Sequence, residues 1–321
     1  MYYKPILIVP GEPNSIFFEI FFKTLKKNIF KSPLILIGSA KLLKLQMKEL
    51  KYNQNINQIS IKTLSNSKFN NRSINVIDVE YNCNKAFNKI SNKSKGYIEN
   101  CFKIAFKIIN QGTTDKLISG PISKKCFLNK KFLGLTEYMA KQFNTKKKAM
   151  LIYNKKLSVC PITTHLPLKN VAKEITKTNI YEKTSLINNF YKKYFGYKPR
   201  IAILGLNPHC ESVDKFNEDE KIIKPAVKYL KESKYNILGP LSADTIFLKE
   251  NRKKFDVIIG MYHDQVLTPI KTLFEYDAIN ITLGLPFLRV SPDHGPNEKM
   301  LGKNISNPIS LIKAITFLDK N

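Results

Sequence analysis

Short apolar runs alternate along this chain with stretches in which apolar residues recur every three or four positions. The runs at 6–9, 34–38, 74–79, 116–119, 150–153, 158–163, 201–205, 257–261 and 279–283 predict strands, because unbroken apolar runs of this length suit a sheet covered on both faces. Between them, 17–25, 101–109, 186–194, 218–230, 245–248 and 309–318 carry the spacing of amphipathic helices. Residues 51–71 are polar and Asn-rich, which predicts irregular chain or a weak edge. The alternation predicts an α/β protein. With neither a repeat nor a low-complexity linker, it predicts two α/β lobes meeting at a cleft rather than domains on a tether.

A length of 321 residues accommodates one large or two ordinary domains. Fifty-three Lys and Arg against 25 Asp and Glu give a charge of +28, the footprint of a nucleic-acid binder. Only Arg72, Arg200, Arg252 and Arg289 can supply bidentate forks, however, and the lysines are scattered throughout. A solvated basic surface that favours an anionic small substrate is therefore expected, without nucleic acid. The five cysteines are widely spaced with no C-x-x-C, which excludes a disulfide framework and a cysteine zinc site and fits a reducing cytosol. The 13 glycines include no pair two or five apart, so neither a dinucleotide-binding fingerprint nor a P-loop can be written. No run approaches the roughly 20 apolar residues of a membrane span, so a cytoplasmic protein without a membrane partner is expected.

All four histidines follow apolar runs: Thr164-His165-Leu166, Asn207-Pro208-His209, Tyr262-His263-Asp264 and Asp293-His294-Gly295. Ligands gather at the carboxyl ends of parallel strands. His165, His209 and His263 can thus converge on a divalent metal acting as a Lewis acid, the alternative for each being a hydrogen-bonded loop or core residue. Lys271, Asn280 and Arg289 flank the 279–283 strand and could grip a phosphate or carboxylate. The loop 119–124 reads either as an anion-binding turn or as a plain strand-to-helix turn. The stretch 239–245 reads as a turn and a helix start, making Asp244 a helix-terminal charge or a site carboxylate.

These motifs carry a resemblance. PGEPNSI, LISGPISK, GLTEYMA, ITTHLPL, ILGLNPH, GPLSADTIF, MYHDQVLTPIK and INITLGLPFLRVSPDHG resemble, nearly end to end, the 4-hydroxythreonine-4-phosphate dehydrogenases of pyridoxal phosphate biosynthesis. The resemblance implies a two-lobed α/β/α fold like the isocitrate and isopropylmalate dehydrogenases, with a non-Rossmann cofactor site. It implies one lobe of residues 1–120 and 281–321, holding the nucleotide loop, and a second of 121–280, holding the metal ligands and dimer interface.

By the same resemblance, His165, His209 and His263 ligate one divalent metal (Zn, Mg or Co), in a homodimer whose site at the interface draws on both chains. Leu135, Thr136, Lys271, Asn280 and Arg289 fall on substrate positions, with Asp244 and Lys271 as candidates for catalysis. The loop holding His294, Gly295, Gly302 and Asn307 resembles a degraded form of the NAD- or NADP-binding loop. The implied reaction is oxidation of 4-phosphooxy-threonine to a β-keto acid that decarboxylates to 3-amino-2-oxopropyl phosphate. A sister dehydrogenase for another four-carbon phosphorylated acid, or a non-catalytic basic protein on the same fold, are the alternatives. The chain departs from the family at Leu135, where the family has His, and it lacks the glycines of the opening loop and of the stretch after His209.

Overall fold

The computed structural model describes residues 3–27, 30–64, 69–128, 132, 134–214 and 216–320. Its strands are β1 (Ile6–Val9), β2 (Leu34–Gly38), β3 (Ile56–Gln58), β4 (Ile74–Asp78), β5 (Lys116–Ser119), β6 (Ala149–Tyr153), β7 (Ser158–Thr163), β8 (Ile201–Leu204), β9 (Ile237–Leu241), β10 (Val257–Tyr262), β11 (Ile279–Leu283) and β12 (Leu288–Pro292). The chain divides into two compact units, Met1–Tyr138 with Pro286–Asn321, and Met139–Leu285.

In the first unit the strand order is β3-β4-β2-β1-β5-β12, every neighbouring pair parallel. β1, β2 and β5 are buried along their whole length, as parallel strands between helices must be. The helix Phe17–Lys27 buries Phe17, Phe18, Ile20, Phe21 and Phe22. The helix Lys95–Asn110 buries Tyr97, Ile98, Cys101, Phe102, Ala105 and Phe106. Phe127 and Tyr138 pack against Phe102 with ring centroids 6.2 and 5.9 Å apart, within this unit.

In the second unit the order is β11-β6-β7-β10-β8-β9, with β7, β10, β8 and β9 parallel and β6 antiparallel to both its neighbours. Its core joins Ile152, Val159, Ala202, Leu204, Ile258, Val266 and Ile270.

Several elements lie outside the apolar pattern. The helix Ala40–Glu49 hides its buried face, Ala40, Leu42, Leu43 and Met47, among lysines, and starts where the Ser39 hydroxyl accepts from the Leu42 N–H. Residues 239–241, read as a turn, belong to β9, which tolerates Pro240 because it ends the strand order. The helix Ala243–Ile246 then begins as expected. β3 is the weak edge foreseen within 51–71. Among the described residues no helix is long and apolar enough to cross a membrane.

Candidate functional site

In the second unit, β7, β10 and β8 are parallel neighbours, so their carboxyl ends lie side by side at the roughly 4.8 Å spacing of a sheet. Thr163 is in register with Tyr262, and the Thr163 hydroxyl donates to the Met261 carbonyl at 2.8 Å. This places His165, two residues beyond β7, beside His263, the first residue of the helix His263–Phe274. Their ring centroids are 5.6 Å apart and tilted by 37°. An ion about 2.0–2.1 Å from a nitrogen of each ring would allow centroids up to roughly 6.4 Å apart, so the pair fits one divalent ion. Asp264 Oδ1 lies 2.6 Å from His263 Nδ1, a carboxylate contact that orients a ligating imidazole.

His209 follows β8 and does not join them. Among the described residues, no three His, Cys, Asp or Glu side chains gather closely enough to enclose an ion. The expected convergence of three histidines therefore reduces, within one chain, to two. His209 instead faces Asp244 on the helix Ala243–Ile246, at 4.0 Å, with 74% of its side chain exposed.

Both His165 (φ 53°) and His209 (φ 54°) have left-handed backbone. That conformation costs a side-chain-bearing residue about 1–2 kcal/mol and clusters at functional sites. Asp219, wholly buried, fixes the His209 loop: Oδ1 accepts from the Leu206 N–H at 2.8 Å, and Oδ2 from the Asn207 N–H at 3.1 Å and from Asn207 Nδ2 at 2.9 Å. Gly205 is required for space, since a Cβ there would lie 2.6 Å from Asp219 Oδ1 and 2.7 Å from Cys210 Sγ. From the helix His263–Phe274, Gln265 accepts from the Met261 N–H at 2.6 Å and donates to the Gly205 carbonyl at 2.8 Å. Asp219 lies outside every motif singled out in the sequence. The one available signal is an acidic run, Glu218-Asp219-Glu220, in a strongly basic chain.

Lys271 sits in the last turn of the helix that begins at His263, eight residues or about 12 Å further along its axis. Asn280 lies on β11, and its Oδ1 is buried with no hydrogen-bond partner among the described residues.

In the first unit, Arg289 on β12 is buried. Its Nε and Nη2 both donate to the Ser119 hydroxyl at the end of β5, at 2.9 and 2.7 Å. Burial pushes the guanidinium down to about 10, partly opposed by the Glu137 carboxylate, so the group remains a cation at neutral pH. Glu137 Oε2 is buried and has no hydrogen-bond partner among the described residues. Burial also lowers the Lys124 ammonium, against the attraction of Glu137. Leu135 begins the helix Leu135–Gln142, buried, with Thr136 next to it. The loop 119–124 is a backbone packing junction: Glu12 N–H donates to the Pro121 carbonyl, and a Cβ on Gly120 would lie 2.0 Å from the Pro10 carbonyl oxygen.

The loop from His294 to Asn307 is anchored from the helix Phe17–Lys27. Lys23 Nζ donates to the Asn304 and Ser306 carbonyls at 2.9 Å, and the Glu19 carboxylate accepts from the Ser306 N–H at 2.6 Å. His294 Nδ1 lies 2.9 Å from the Gly295 carbonyl, and Gly302 takes left-handed backbone (φ 76°) against the Phe87 ring. Asn307 Oδ1 accepts from the Ile309 N–H and so caps the final helix, Ile309–Lys320.

A family model for the pyridoxal phosphate biosynthetic protein PdxA matches residues 30–318. The 4-hydroxythreonine-4-phosphate dehydrogenase of Sulfurihydrogenibium sp. (strain YO3AOP1) is 48% identical over 224 residues, a match spanning 68% of this chain and 67% of that relative. The chain thus spans about two thirds of that relative's length. The one from Pseudoalteromonas translucida (strain TAC 125) is 32% identical over 316 residues, 97% of this chain and 94% of the relative. The crystal structure of a 4-hydroxythreonine-4-phosphate dehydrogenase from Klebsiella pneumoniae superposes with a TM-score of 0.83 at 27% identity, covering 98% of each chain. An isocitrate dehydrogenase from Methylococcus capsulatus shares the fold, with a TM-score of 0.50 at 10% identity over 98% of this chain and 84% of that one.

Proposed function

Because the chain belongs to the PdxA family of pyridoxal phosphate biosynthetic proteins, we propose that it is a metal-requiring NAD(P) dehydrogenase that oxidises 4-phosphooxy-threonine in the cytoplasm. The observation that carries the reading is the pairing of His165 and His263 at adjacent parallel strand ends, 5.6 Å apart, in a chain of this family. A divalent ion (Zn, Mg or Co) held by these residues would supply Lewis acidity, making the substrate hydroxyl more acidic and stabilising the negative charge left as CO2 departs. The third ligand is His209 from a second copy in a homodimer. An exposed imidazole on strained backbone, held by a buried carboxylate, is a costly arrangement for a side chain whose closest neighbour noted above is Asp244 at 4.0 Å.

The chain's own groups then have distinct tasks. Asp244 takes the hydroxyl proton as the carbinol hydride passes to the nicotinamide. The resulting β-keto acid loses its carboxylate as CO2, and Lys271 returns a proton to the carbon left behind, giving 3-amino-2-oxopropyl phosphate. Arg289 in the first unit and Lys271 and Asn280 in the second are the groups suited to anionic ends of a substrate, and Leu135 and Thr136 are the further substrate positions. His294, Gly295, Gly302 and Asn307 form the cofactor loop.

Leu135 supports a second reading, a sister dehydrogenase for another four-carbon phosphorylated hydroxy acid, because an apolar side chain cannot donate a hydrogen bond to a substrate oxygen. A panel of such acids, assayed with NAD and with NADP, separates the two. Preference for 4-phosphooxy-threonine supports the first reading, and preference for another member of the panel supports the second. Turnover of none would leave a basic binding protein on this fold.

A further inference from the structure

We infer that Asp219 is a positioning residue for His209, locking the loop 205–210 into the one conformation that presents this imidazole outward. The inference rests on the reading of His209 as a metal ligand. Asp219 belongs to none of the motifs that carry the family resemblance and lies ten residues beyond His209. Yet it is completely buried, and its two oxygens take up two backbone N–H groups and one amide N–H from the two residues that begin the loop. Its own N–H donates to Asn217 Oδ1 at 2.9 Å, so the carboxylate is itself aimed.

The loop needs such a lock. His209 and Cys210 are consecutive residues in left-handed backbone, at φ 54° and 63°. Two successive side-chain-bearing residues in that region are held only where the surroundings over-determine them. The Cys210 side chain is buried while the His209 side chain is exposed, so the same turn buries one side chain and displays the next. An oxyanion is suited to the task because it accepts without donating. An amide in its place would set an N–H against the N–H groups of Leu206 or Asn207. Gln265 closes the other side through the Gly205 carbonyl, so the loop is tied to the helix that begins at His263.

Titration of metal-stripped protein with Co2+, followed by its ligand-field absorption, tests this apart from turnover. Wild type, Asp219→Asn, His209→Ala and the double variant are compared, with thermal melting to confirm folding. Asp219→Asn is expected to weaken Co2+ binding about 10- to 100-fold, the usual effect of losing a group that orients a ligand, and to raise KM more than it lowers kcat. In the His209→Ala background the same change is expected to have no further effect, since it acts only through the imidazole. If Asp219→Asn does not fold, Asn207→Ala, which removes one of the three bonds, replaces it, and a weakened Co2+ affinity supports the inference. Equal affinity in wild type and the variant, or an equal loss with and without His209, overturns it. Failure of wild type itself to bind Co2+ through histidine would instead overturn the metal reading.

Discussion

Replacing Ser119 with Ala should expose how far the buried Arg289 depends on one hydroxyl. The guanidinium is pushed down from its ordinary value to about 10 by burial, which disfavours its charged form. It stays charged at neutral pH and therefore needs partners. Ser119 accepts from both Nε and Nη2 in a fully buried setting. Removing the acceptor leaves buried charged donors short of a partner, which costs about 1.5–3 kcal/mol. A double-mutant cycle isolates the interaction: wild type, Ser119→Ala, Arg289→Met and the double variant are unfolded in urea and followed by far-ultraviolet circular dichroism. The coupling between the two sites should be about 1.5–3 kcal/mol, well above the roughly 0.3–0.5 kcal/mol within which independent sites add. The Ser119→Ala enzyme should also show a raised KM for an anionic substrate with kcat less affected. Additive stabilities would refute the argument, and would mean that other contacts hold the guanidinium.

Three further outcomes are expected. Mixing inactive His165→Ala and His209→Ala proteins and allowing subunits to exchange should restore about a quarter of wild-type activity, because half the dimers are mixed and each carries one intact site; no recovery would place all three ligands in one chain. Leu135→His should lower the melting temperature, since a buried apolar side chain is lost, while raising kcat/KM for 4-phosphooxy-threonine by about 2- to 13-fold, the worth of one hydrogen bond of 0.5–1.5 kcal/mol; a fall in kcat/KM would mean that the pocket is built around leucine. Glu12 is raised above 4.5 by burial, against hydrogen bonds from Asn14 and Ser94 and with the Glu298 charge adding to the rise. Its folded state therefore holds the proton more tightly than the unfolded chain does, a stabilisation complete below 4.5 and lost as pH rises through the elevated value. The stability of wild type relative to Glu12→Gln should thus fall as pH rises from 4.5 through the elevated value, and a flat difference would contradict this.

The histidines were legible because parallel strands buried on both faces read as continuous apolar runs, so that residues just beyond them stand at the ligand-binding edge. Which of them meet was not. That depends on strand order, with β10 between β7 and β8, and on a left-handed turn that directs His209 toward Asp244. Arg289 stood out through the rarity of Arg, but its burial and its grip on Ser119 follow from the β5–β12 pairing, 170 residues apart in sequence. β9 and β12 were hidden by the Gly, Pro and Ser residues they contain. Apart from the acidic run around Asp219, neither Asp219 nor the Glu19–Lys23 anchor signals its role locally, because each acts on backbone groups that only the folded chain brings near. Asn307 illustrates the opposite case, a residue assigned to the cofactor loop whose side chain also performs the local work of capping a helix.

In the proposed function the chain couples alcohol oxidation to decarboxylation with the help of a metal held on histidines. The most direct measurement takes chelator-stripped protein with 4-phosphooxy-threonine and NAD or NADP, and follows reduced nicotinamide and released CO2 as a divalent ion is added back. The account predicts no turnover without the ion, and reduced cofactor and CO2 formed one for one once it is restored. Turnover indifferent to chelation, or none with metal, substrate and both cofactors present, would contradict it.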